Sequence, residues 1–191
     1  MRKLVYLVAT SLDGRIAGPN DEIDFFPLAE DVAEHLRTRL PDTLPTHIRA
    51  LMGVTAPNLR FDTVVMGRRT YQPALDAGVT SPYRHLRQFV VSRGTAQVRD
   101  PEVAVVEDPV ALVRALKQED GLDIWLCGGG NLAGSLLPEI DELIIKHYPV
   151  IAGAGLPLLS AEFVPLRLRV EQEQQFCDGT RIVTYSPLHD G

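Results

Sequence analysis

Three consecutive glycines, Gly128 to Gly130, directly follow the apolar run 122–127. The run predicts a buried strand, and the segment 131–137 behind the glycines predicts a short helix. Glycines at such a junction let backbone N–H groups come close to a ligand, and the N-terminus of a helix favours an anion. Because the spacing is not that of the G-x-G-x-x-G motif, the junction alone indicates either an anion-binding turn or a tight turn required by packing.

A second junction of the same kind lies earlier in the chain. The apolar segment 63–66 runs into Gly67, and Arg68, Arg69 and Thr70 follow at the start of a predicted helix. Cations at a helix N-terminus oppose the helix dipole, so helix stability does not explain the two arginines. A bound polyanion would explain them, because guanidinium groups recognise phosphate with paired hydrogen bonds. Two such junctions in one small chain predict a ligand with several phosphate groups.

Composition narrows the class of protein. The chain has 191 residues, 45% hydrophobic and 23% charged, which fits one folded domain spanning 1–191. The net charge of −6 argues against nucleic-acid and anionic-membrane partners, because neutralising phosphates needs clustered Lys and Arg. No run of about 18 apolar residues predicts a membrane span. The short apolar stretch after the basic start predicts a first strand rather than a leader, and we expect a cytoplasmic protein.

The cysteines and histidines show no metal-ligand spacing, so no metal site is expected. Cys127 and Cys177 are both expected in strands of an intracellular protein. His147, at the end of a predicted strand, is expected to be structural, although its position also allows contact with a substrate.

Strand patterns alternate with helix patterns, which predicts an α/β fold with a mostly parallel central sheet flanked by helices on both faces. Strands are predicted at 3–10, 63–66, 88–91, 103–106, 122–127 and 142–147. Helices are predicted at 28–40, 46–52, 68–76, 109–117 and 131–137, with Asp108 as the N-cap of the fourth. The segment 11–26 is predicted as a loop. Segments 166–176 and 180–186 predict a C-terminal antiparallel hairpin across Asp178-Gly179.

Four segments, in order along nearly the whole chain, resemble the dihydrofolate-reductase superfamily. They are Val8-Ala9-x-Ser11-x-Asp13-Gly14-x-Ile16-x-Gly18, Val65-Met66-Gly67-Arg68-Arg69-Thr70-Tyr71, Val90-Val91-Ser92-Arg93 and Cys127-Gly128-Gly129-Gly130-Asn131-Leu132. A fifth segment, Pro149 to Leu158, resembles the P-V-x-x-G-x-G-x-P-L stretch of the riboflavin-biosynthesis reductase domain and its stand-alone relatives. The resemblance implies a dihydrofolate-reductase-like fold and NADPH-dependent reduction of a small heterocycle, similar to 5-amino-6-(5-phosphoribosylamino)uracil reductase.

Two alternatives stay open. One is dihydrofolate reductase itself, although the chain lacks the Pro-Trp and L-P-x-D-L sequences usual there, and its one tryptophan is Trp125. The other is an NADP-binding protein that has lost catalysis, because the cofactor residues are better marked than a proton donor. The resemblance also implies a homodimer whose interface the segment 149–158 borders, which the mass measured by light scattering at micromolar concentration would test.

The resemblance implies NADPH contacts for residues of the four motifs. Ala9, Ile16 and Gly18 would line the nicotinamide pocket. Ser92 and Arg93 would meet the 2′-phosphate, and the charge of Arg93 would favour NADPH over NADH. The remaining expected cofactor residues belong to the two glycine junctions, in which Gly128 and Gly129 match a pair joined by a cis peptide bond: Gly67, Arg68, Arg69, Thr70, Cys127, Gly128, Gly129, Gly130, Asn131 and Leu132.

The proton donor is expected among three carboxylates, Asp24, Glu30 and Asp31, ahead of or within the first predicted helix. Counting forward from Gly18, Glu30 and Asp31 fall near the carboxylate of the superfamily. We predict Asp31, which can face inward with Leu28, and expect partial desolvation to raise its pKa. For each of the three, a carboxylate that only stabilises the first helical turn remains the alternative.

Overall fold

The fold alternates strands and helices around one large sheet. The computed structural model describes residues 1–94, 98 and 100–188. In this part of the chain the strands are β1 Leu4–Thr10, β2 Arg15–Ala17, β3 Phe61–Gly67, β4 Arg87–Val91, β5 Val103–Val106, β6 Asp123–Gly128, β7 Glu142–His147, β8 Leu156–Pro157, β9 Leu168–Gln175 and β10 Arg181–Pro187. The α-helices are α1 Glu30–Arg39, α2 Thr46–Leu51, α3 Arg68–Asp76, α4 Pro109–Gln118 and α5 Gly130–Ser135. Short 3₁₀ turns follow α1 and α5 at Pro41–Thr43 and Leu137–Glu139.

The large sheet has the strand order β5-β4-β3-β6-β1-β7-β10-β9. Its neighbouring strands from β5 to β7 are parallel, whereas β10 is antiparallel to both β7 and β9. The expected α/β fold with a mostly parallel sheet and a C-terminal antiparallel hairpin is therefore confirmed. Because β1, β3, β4, β6 and β7 are parallel, their carboxyl ends meet at one edge, where open α/β sheets bind ligands.

Side chains of the central strands alternate between two apolar clusters, one on each face of the sheet. Val5 and Leu7 of β1 pack with Val32 and Leu36 of α1, on what we call the α1 face. The intervening β1 residues and the helices α4 and α5 form the cluster on the opposite side, the α5 face. Both faces are therefore covered, as the near-continuous apolar strand patterns predict.

Local signals set several boundaries. The Asp108 carboxylate accepts hydrogen bonds from the N–H groups of Val110 at 3.0 Å and Ala111 at 2.9 Å, so it caps α4 as predicted. Pro109 follows in the first turn, where its missing N–H costs nothing. The predicted bounds of α3, 68–76, are also those observed.

Three local expectations are wrong. The segment 11–26 is not loop throughout, because β2 pairs with β8 some 140 positions later, and strands this short carry no periodicity. Leu28 lies ahead of α1 and is 61% exposed, so it does not face inward. Cys177 lies in the turn between β9 and β10, not in a strand, and both cysteines are free.

One buried carboxylate organises the irregular stretch before β3. Asp42 is 0% exposed and accepts hydrogen bonds from the backbone N–H groups of Leu59, Arg60 and Phe61 at 3.0, 2.7 and 2.9 Å. The Arg49 guanidinium of α2 lies 3.6 Å from the same carboxylate and donates to two backbone carbonyl groups of the stretch. These contacts fix the start of β3, the strand that ends at the Gly67 junction.

The outer edge of the sheet carries exposed apolar side chains. Every residue of the edge strand β9 is exposed, including Val170 at 54%, and Phe163 and Val164 just before it are 95% and 67% exposed. Among the described residues, no helix has the length and apolar character needed to cross a membrane.

Candidate functional site

The two glycine junctions lie side by side at the carboxyl edge of the parallel strands. β3 and β6 end at Gly67 and Gly128, and α3 and α5 begin within two residues of those glycines. In the sheet, Met66 stands opposite Gly128. A Cβ atom added at Gly67 would lie 3.6 Å from the Gly128 carbonyl oxygen and 3.7 Å from the Gly129 nitrogen. Two helix N-termini, each favourable for an anion, are therefore adjacent.

The turn at the Gly128–Gly130 junction has the backbone that the resemblance implies. The Gly128–Gly129 peptide bond is cis, and Gly128 has φ +134°, which side chains rarely allow. A Cβ atom at Gly128 or Gly129 would meet Thr70 Oγ1 at 3.8 or 3.7 Å. The Thr70 hydroxyl of α3 thus lies next to this turn, so the two junctions share one polar side chain.

Three arginines stand at the same edge of the sheet. Arg68 and Arg69 open α3 and are exposed, and Arg93 is exposed just beyond β4, whose last residue stands opposite Gly67. Arg69 forms an ion pair with Asp21, with Nη2 at 2.9 Å from Oδ1. An incoming phosphate at Arg69 would therefore compete with the carboxylate of Asp21, which lies in the segment 11–26, called here the first loop.

Not every expected cofactor residue presents its side chain here. Leu132 is 8% exposed and packs into the core of the α5 face. Cys127 packs against the cluster of the α1 face. Only the backbone of these two residues can take part at the glycine junction, whereas Asn131 is exposed at the start of α5.

The residues expected beside the nicotinamide lie on β1, β2 and the turn that follows. Ala9 is near the end of β1, Ile16 is in β2, and Gly18 donates its N–H to the Glu22 carbonyl at 2.8 Å. Asp21, in the same tight turn, has φ +68° and pairs with Arg69. The turn therefore links the first loop to the start of α3.

Arg15 in β2 is a functional candidate that the motifs did not single out. Its Nη1 donates to the Gly155 carbonyl at 3.3 Å, and its Nε is buried with no hydrogen-bond partner in the described part of the chain. A buried donor without an acceptor is costly, so an acceptor on a ligand would complete this group. The sequence feature that could have identified Arg15 is a basic residue within Ser11 to Ala17, a segment otherwise explained by turn and strand patterns.

The three candidate proton donors differ in their surroundings. Asp24 and Glu30 are exposed. Asp31 is partly buried, and its Oδ2 accepts a hydrogen bond from the backbone N–H of Cys177 at 2.9 Å. That hydrogen bond lowers the pKa of Asp31 below its ordinary value, so the expected raised pKa is wrong. The carboxylate joins α1 to the β9–β10 turn, and its part in catalysis stays a prediction.

A second polar cluster lies on the α1 face of the central strands. It consists of Tyr83, Cys127 in β6 and Lys146 in β7. Tyr83 and Cys127 both pack against the core of the α1 face, and burial raises the pKa of both groups, that of Cys127 to about 12. Burial also lowers the pKa of the Lys146 ammonium. The motifs gave no signal for Lys146, because its partners come from distant parts of the sequence.

Two cavities include residues expected at the candidate site. One of about 280 Å³ lies between the first loop and the segment after β7 and is lined by Gly18, Pro19, Glu22, Phe25, Val150, Ile151, Ala152 and Ala154. Asp13 joins the same two loops, accepting hydrogen bonds from the N–H groups of Ala152 and Gly153 at 2.9 and 2.8 Å. A larger one of about 750 Å³ lies between α5 and the segment 160–166, and Asn131, next to Gly130, is in its lining. The smaller cavity is lined by Gly18, so it lies beside the residues expected at the nicotinamide.

His147 has a structural partner, since its Nε2 lies 3.1 Å from the Tyr185 hydroxyl. Within the described residues, no group of three or more His, Cys, Asp or Glu side chains could hold a metal ion.

Comparisons with known proteins give a matching family model and several similar proteins. Residues 2–182 match the family model described as the RibD C-terminal domain. The uncharacterized protein YwjB of Bacillus subtilis (strain 168) is 30% identical over 178 residues, which cover 92% of each chain. A structure named for a riboflavin biosynthesis protein from Shewanella sp. PV-4 aligns with TM-score 0.71 and 26% identity, covering 98% of this chain and 99% of that one.

A further solved structure is similar in fold alone. The diaminohydroxyphosphoribosylaminopyrimidine deaminase/5-amino-6-(5-phosphoribosylamino)uracil reductase of Thermotoga maritima aligns with TM-score 0.63 and 16% identity. The match covers 98% of this chain but 57% of that protein.

Proposed function

Because the chain belongs to the RibD C-terminal domain family, we propose that it is an NADPH-dependent reductase of a small heterocycle or of its sugar-derived side chain. The observation that carries the proposal is the meeting of two glycine junctions, two helix N-termini and Arg68 and Arg69 at one edge of the sheet. This arrangement suits a ligand with several phosphate groups.

The residues at this edge fit such a dinucleotide. Gly67 and Gly129 leave a gap between α3 and α5 that a side chain would occupy. Arg68, Arg69 and Arg93 supply exposed cations around it. In the separate two-stranded sheet of β2 and β8, the buried Nε of Arg15 lacks an acceptor that a bound ligand could provide.

When bound, NADPH would supply a hydride to the substrate. The residues of this chain would bind and orient both molecules. The N–H groups at the starts of α3 and α5, with the Thr70 hydroxyl, would hold the pyrophosphate. Arg93 would hold the 2′-phosphate, and Ala9 and Gly18 would form the wall beside the nicotinamide. The first loop and the segment after β7 would exclude water from the reacting atoms.

The substrate class we propose is a pyrimidine with a ribosylamino side chain, the compound in the name of the Thermotoga maritima protein. The alternative, dihydrofolate, has less support from the residues present. Trp125 packs in the core between Phe61 and Tyr83, with ring centroids 6.4 and 5.0 Å away, so it does not stand in the first loop. Asp31, the candidate carboxylate, is already bound by Cys177.

Measuring the turnover of NADPH distinguishes the proposed pyrimidine reductase from dihydrofolate reductase and from a binding protein that has lost catalysis. We expect NADPH absorbance to fall when the protein is mixed with 5-amino-6-(5-phosphoribosylamino)uracil and to stay constant with dihydrofolate. Reduction of dihydrofolate instead would identify the alternative enzyme. Tight NADPH binding without turnover of any heterocycle would favour the binding protein that has lost catalysis.

The first variant tests the cofactor phosphate. We expect Arg93→Ala to weaken NADPH binding by about 1–3 kcal/mol, because a charged hydrogen bond of that size is lost. NADH binding should stay nearly unchanged, since NADH has no 2′-phosphate. Fluorescence titration with both cofactors measures the difference, and the exposed Arg84→Ala is the matched control. Equal affinities for NADPH and NADH in the unmodified protein would contradict the assignment.

A second variant tests whether Arg69 serves the cofactor. The Arg69–Asp21 ion pair is exposed and is worth about 0.2–1 kcal/mol. If a phosphate must displace Asp21, Asp21→Asn should tighten NADPH binding by roughly two- to fivefold. Asp76→Asn, at the far end of α3, is the control. Unchanged or weaker NADPH binding by Asp21→Asn would show that Arg69 does not meet the cofactor.

Homodimer formation and a cytoplasmic location stay predictions. The exposed apolar side chains of Phe163, Val164 and Val170 support an association of two copies, at a surface beyond the segment 149–158 expected to border it.

A further inference from the structure

Lys146 is a cation without a counter-ion near the candidate site. The chain has three lysines, and the other two each pair with a carboxylate, with Nζ–oxygen distances of 3.3 and 2.7 Å. No ion pair of Lys146 occurs within the part of the chain that the structure describes, and the titratable side chain that acts on its pKa there is the Cys127 thiol. Lys146 is half-buried, and removing part of the water around an ammonium group without supplying an anion is costly, so a ligand that accepts its proton or hydrogen bond would compensate.

The position of Lys146 directs its side chain toward the expected nicotinamide wall. Lys146 stands opposite Ala9 of β1, and β1 separates β7 from β6, which carries Cys127. Strands are about 4.8 Å apart, so the long lysine side chain can cross β1 to reach Cys127. Since Ala9 has only a Cβ atom, it leaves room for this crossing. A lysine side chain that reaches Cys127 in this way passes over Ala9, at the carboxyl end of the central strands.

The groups around Lys146 do not neutralise its charge. Burial raises the pKa of Tyr83 and of the Cys127 thiol, so both are uncharged near neutral pH. On α1, which packs on the same face, burial lowers the pKa of His35, and the Asp31 carboxylate is bound by Cys177. His147 follows Lys146 in β7 and so points to the opposite face of the sheet. An unpaired, partly buried cation is difficult to explain by stability alone.

We propose that Lys146 is the catalytic acid of this reduction: its ammonium group contacts the substrate and gives a proton to the nitrogen or oxygen whose double-bonded carbon is reduced. The inference rests on the proposed function. One N–H bond of the ammonium breaks and one N–H or O–H bond forms on the substrate. The carbon receives a hydrogen with two electrons from NADPH, and Lys146 becomes a neutral amine that water reprotonates. The substrate must therefore present an acceptor atom to the α1 face, and the lowered pKa of Lys146 suits the transfer.

The titration of Lys146 tests its proposed role as the catalytic acid without a known substrate. With only three lysines, ¹³C-lysine labelling gives three Cε signals, and Lys146→Arg identifies the relevant one. Because oxidised nicotinamide carries a positive charge, the titration midpoint of Lys146 should be lower with NADP⁺ than with NADPH, by about one pH unit. Midpoints that are the same in both complexes would overturn the inference. If neither cofactor binds in a fluorescence titration, the proposed function itself fails, which is a separate outcome.

Two variants add readouts that a structural lysine would not give. Lys146→Met removes an unpaired charge and should raise the melting temperature, whereas a structural role would lower it. Lys146→Met and Lys146→Arg should both cut turnover by about 10²-fold or more on the substrate found above, with NADPH affinity nearly unchanged. Lys3→Met, which removes an exposed lysine, should change neither turnover nor NADPH affinity. Full turnover by Lys146→Arg, or a lower melting temperature of Lys146→Met, would overturn the assignment.

Discussion

Asp42→Ala should lower the free energy of unfolding by about 3–5 kcal/mol, the cost of leaving a buried charge without its partner. The variant removes the acceptor of three backbone N–H groups, those of Leu59, Arg60 and Phe61. It also leaves Arg49, which is 7% exposed, without the carboxylate 3.6 Å from its Nη1. Each buried donor that is left without an acceptor adds its own desolvation cost.

Urea denaturation followed by circular dichroism measures this loss. Asp42→Asn should lose less, because its amide oxygen can still accept one or two of the three hydrogen bonds. Asp120→Ala, at an exposed loop position, is the control and should stay within about 0.5 kcal/mol of the unmodified protein. A loss below about 1 kcal/mol for Asp42→Ala would show that other groups hold the start of β3 in place.

Asp42 also shows which structural features the sequence alone does not predict. The bounds of α3 and the capping of α4 by Asp108 were predictable, because they depend on residues within a few positions of each other. The hydrogen bonds of Asp42 join positions 17 to 19 residues apart within an irregular segment that has no periodicity. Aspartate side chains are mostly exposed, and only the folded chain shows that this one is buried.

The candidate site also has one part that the sequence predicts and another that it does not. The glycine junctions could be found because each is a local strand–glycine–helix pattern, and the order of the sheet then brings them together. The proton donor could not be identified from the sequence, because the pKa of a side chain depends on its surroundings in the folded chain. Asp31 meets Cys177 from 146 positions away, and Lys146 comes close to Cys127 only through the order β6-β1-β7 of the sheet. The cofactor side of the site was therefore readable from the sequence, while the acid side required the fold.

Gly67→Val should lower NADPH affinity by roughly 10- to 100-fold while leaving the fold intact. Gly67 has φ −72° and ψ +158°, an extended conformation that valine adopts readily. An added Cβ would stand at ordinary contact distances of 3.6 and 3.7 Å from the Gly128–Gly129 backbone, so the protein can accommodate it. The two methyl groups of valine would extend further into the gap between α3 and α5, where the pyrophosphate is proposed to bind. A steric block that costs two or three hydrogen bonds of about 1 kcal/mol each gives an effect of this size.

A graded pair of variants makes the test specific. Gly67→Ala adds only the Cβ atom and should weaken NADPH binding much less than Gly67→Val. If the variants weakened binding by disturbing an arginine contact instead, the loss of affinity would not depend on the size of the side chain at position 67. Fluorescence titration gives the affinity, and urea denaturation should show that the free energy of unfolding changes by less than about 1 kcal/mol in both variants. If Gly67→Val binds NADPH as tightly as the unmodified protein, the gap between the two glycine junctions is not the pyrophosphate site. The arginines of α3 would then be exposed cations without a cofactor, and their place at a helix N-terminus, which helix stability disfavours, would need another explanation.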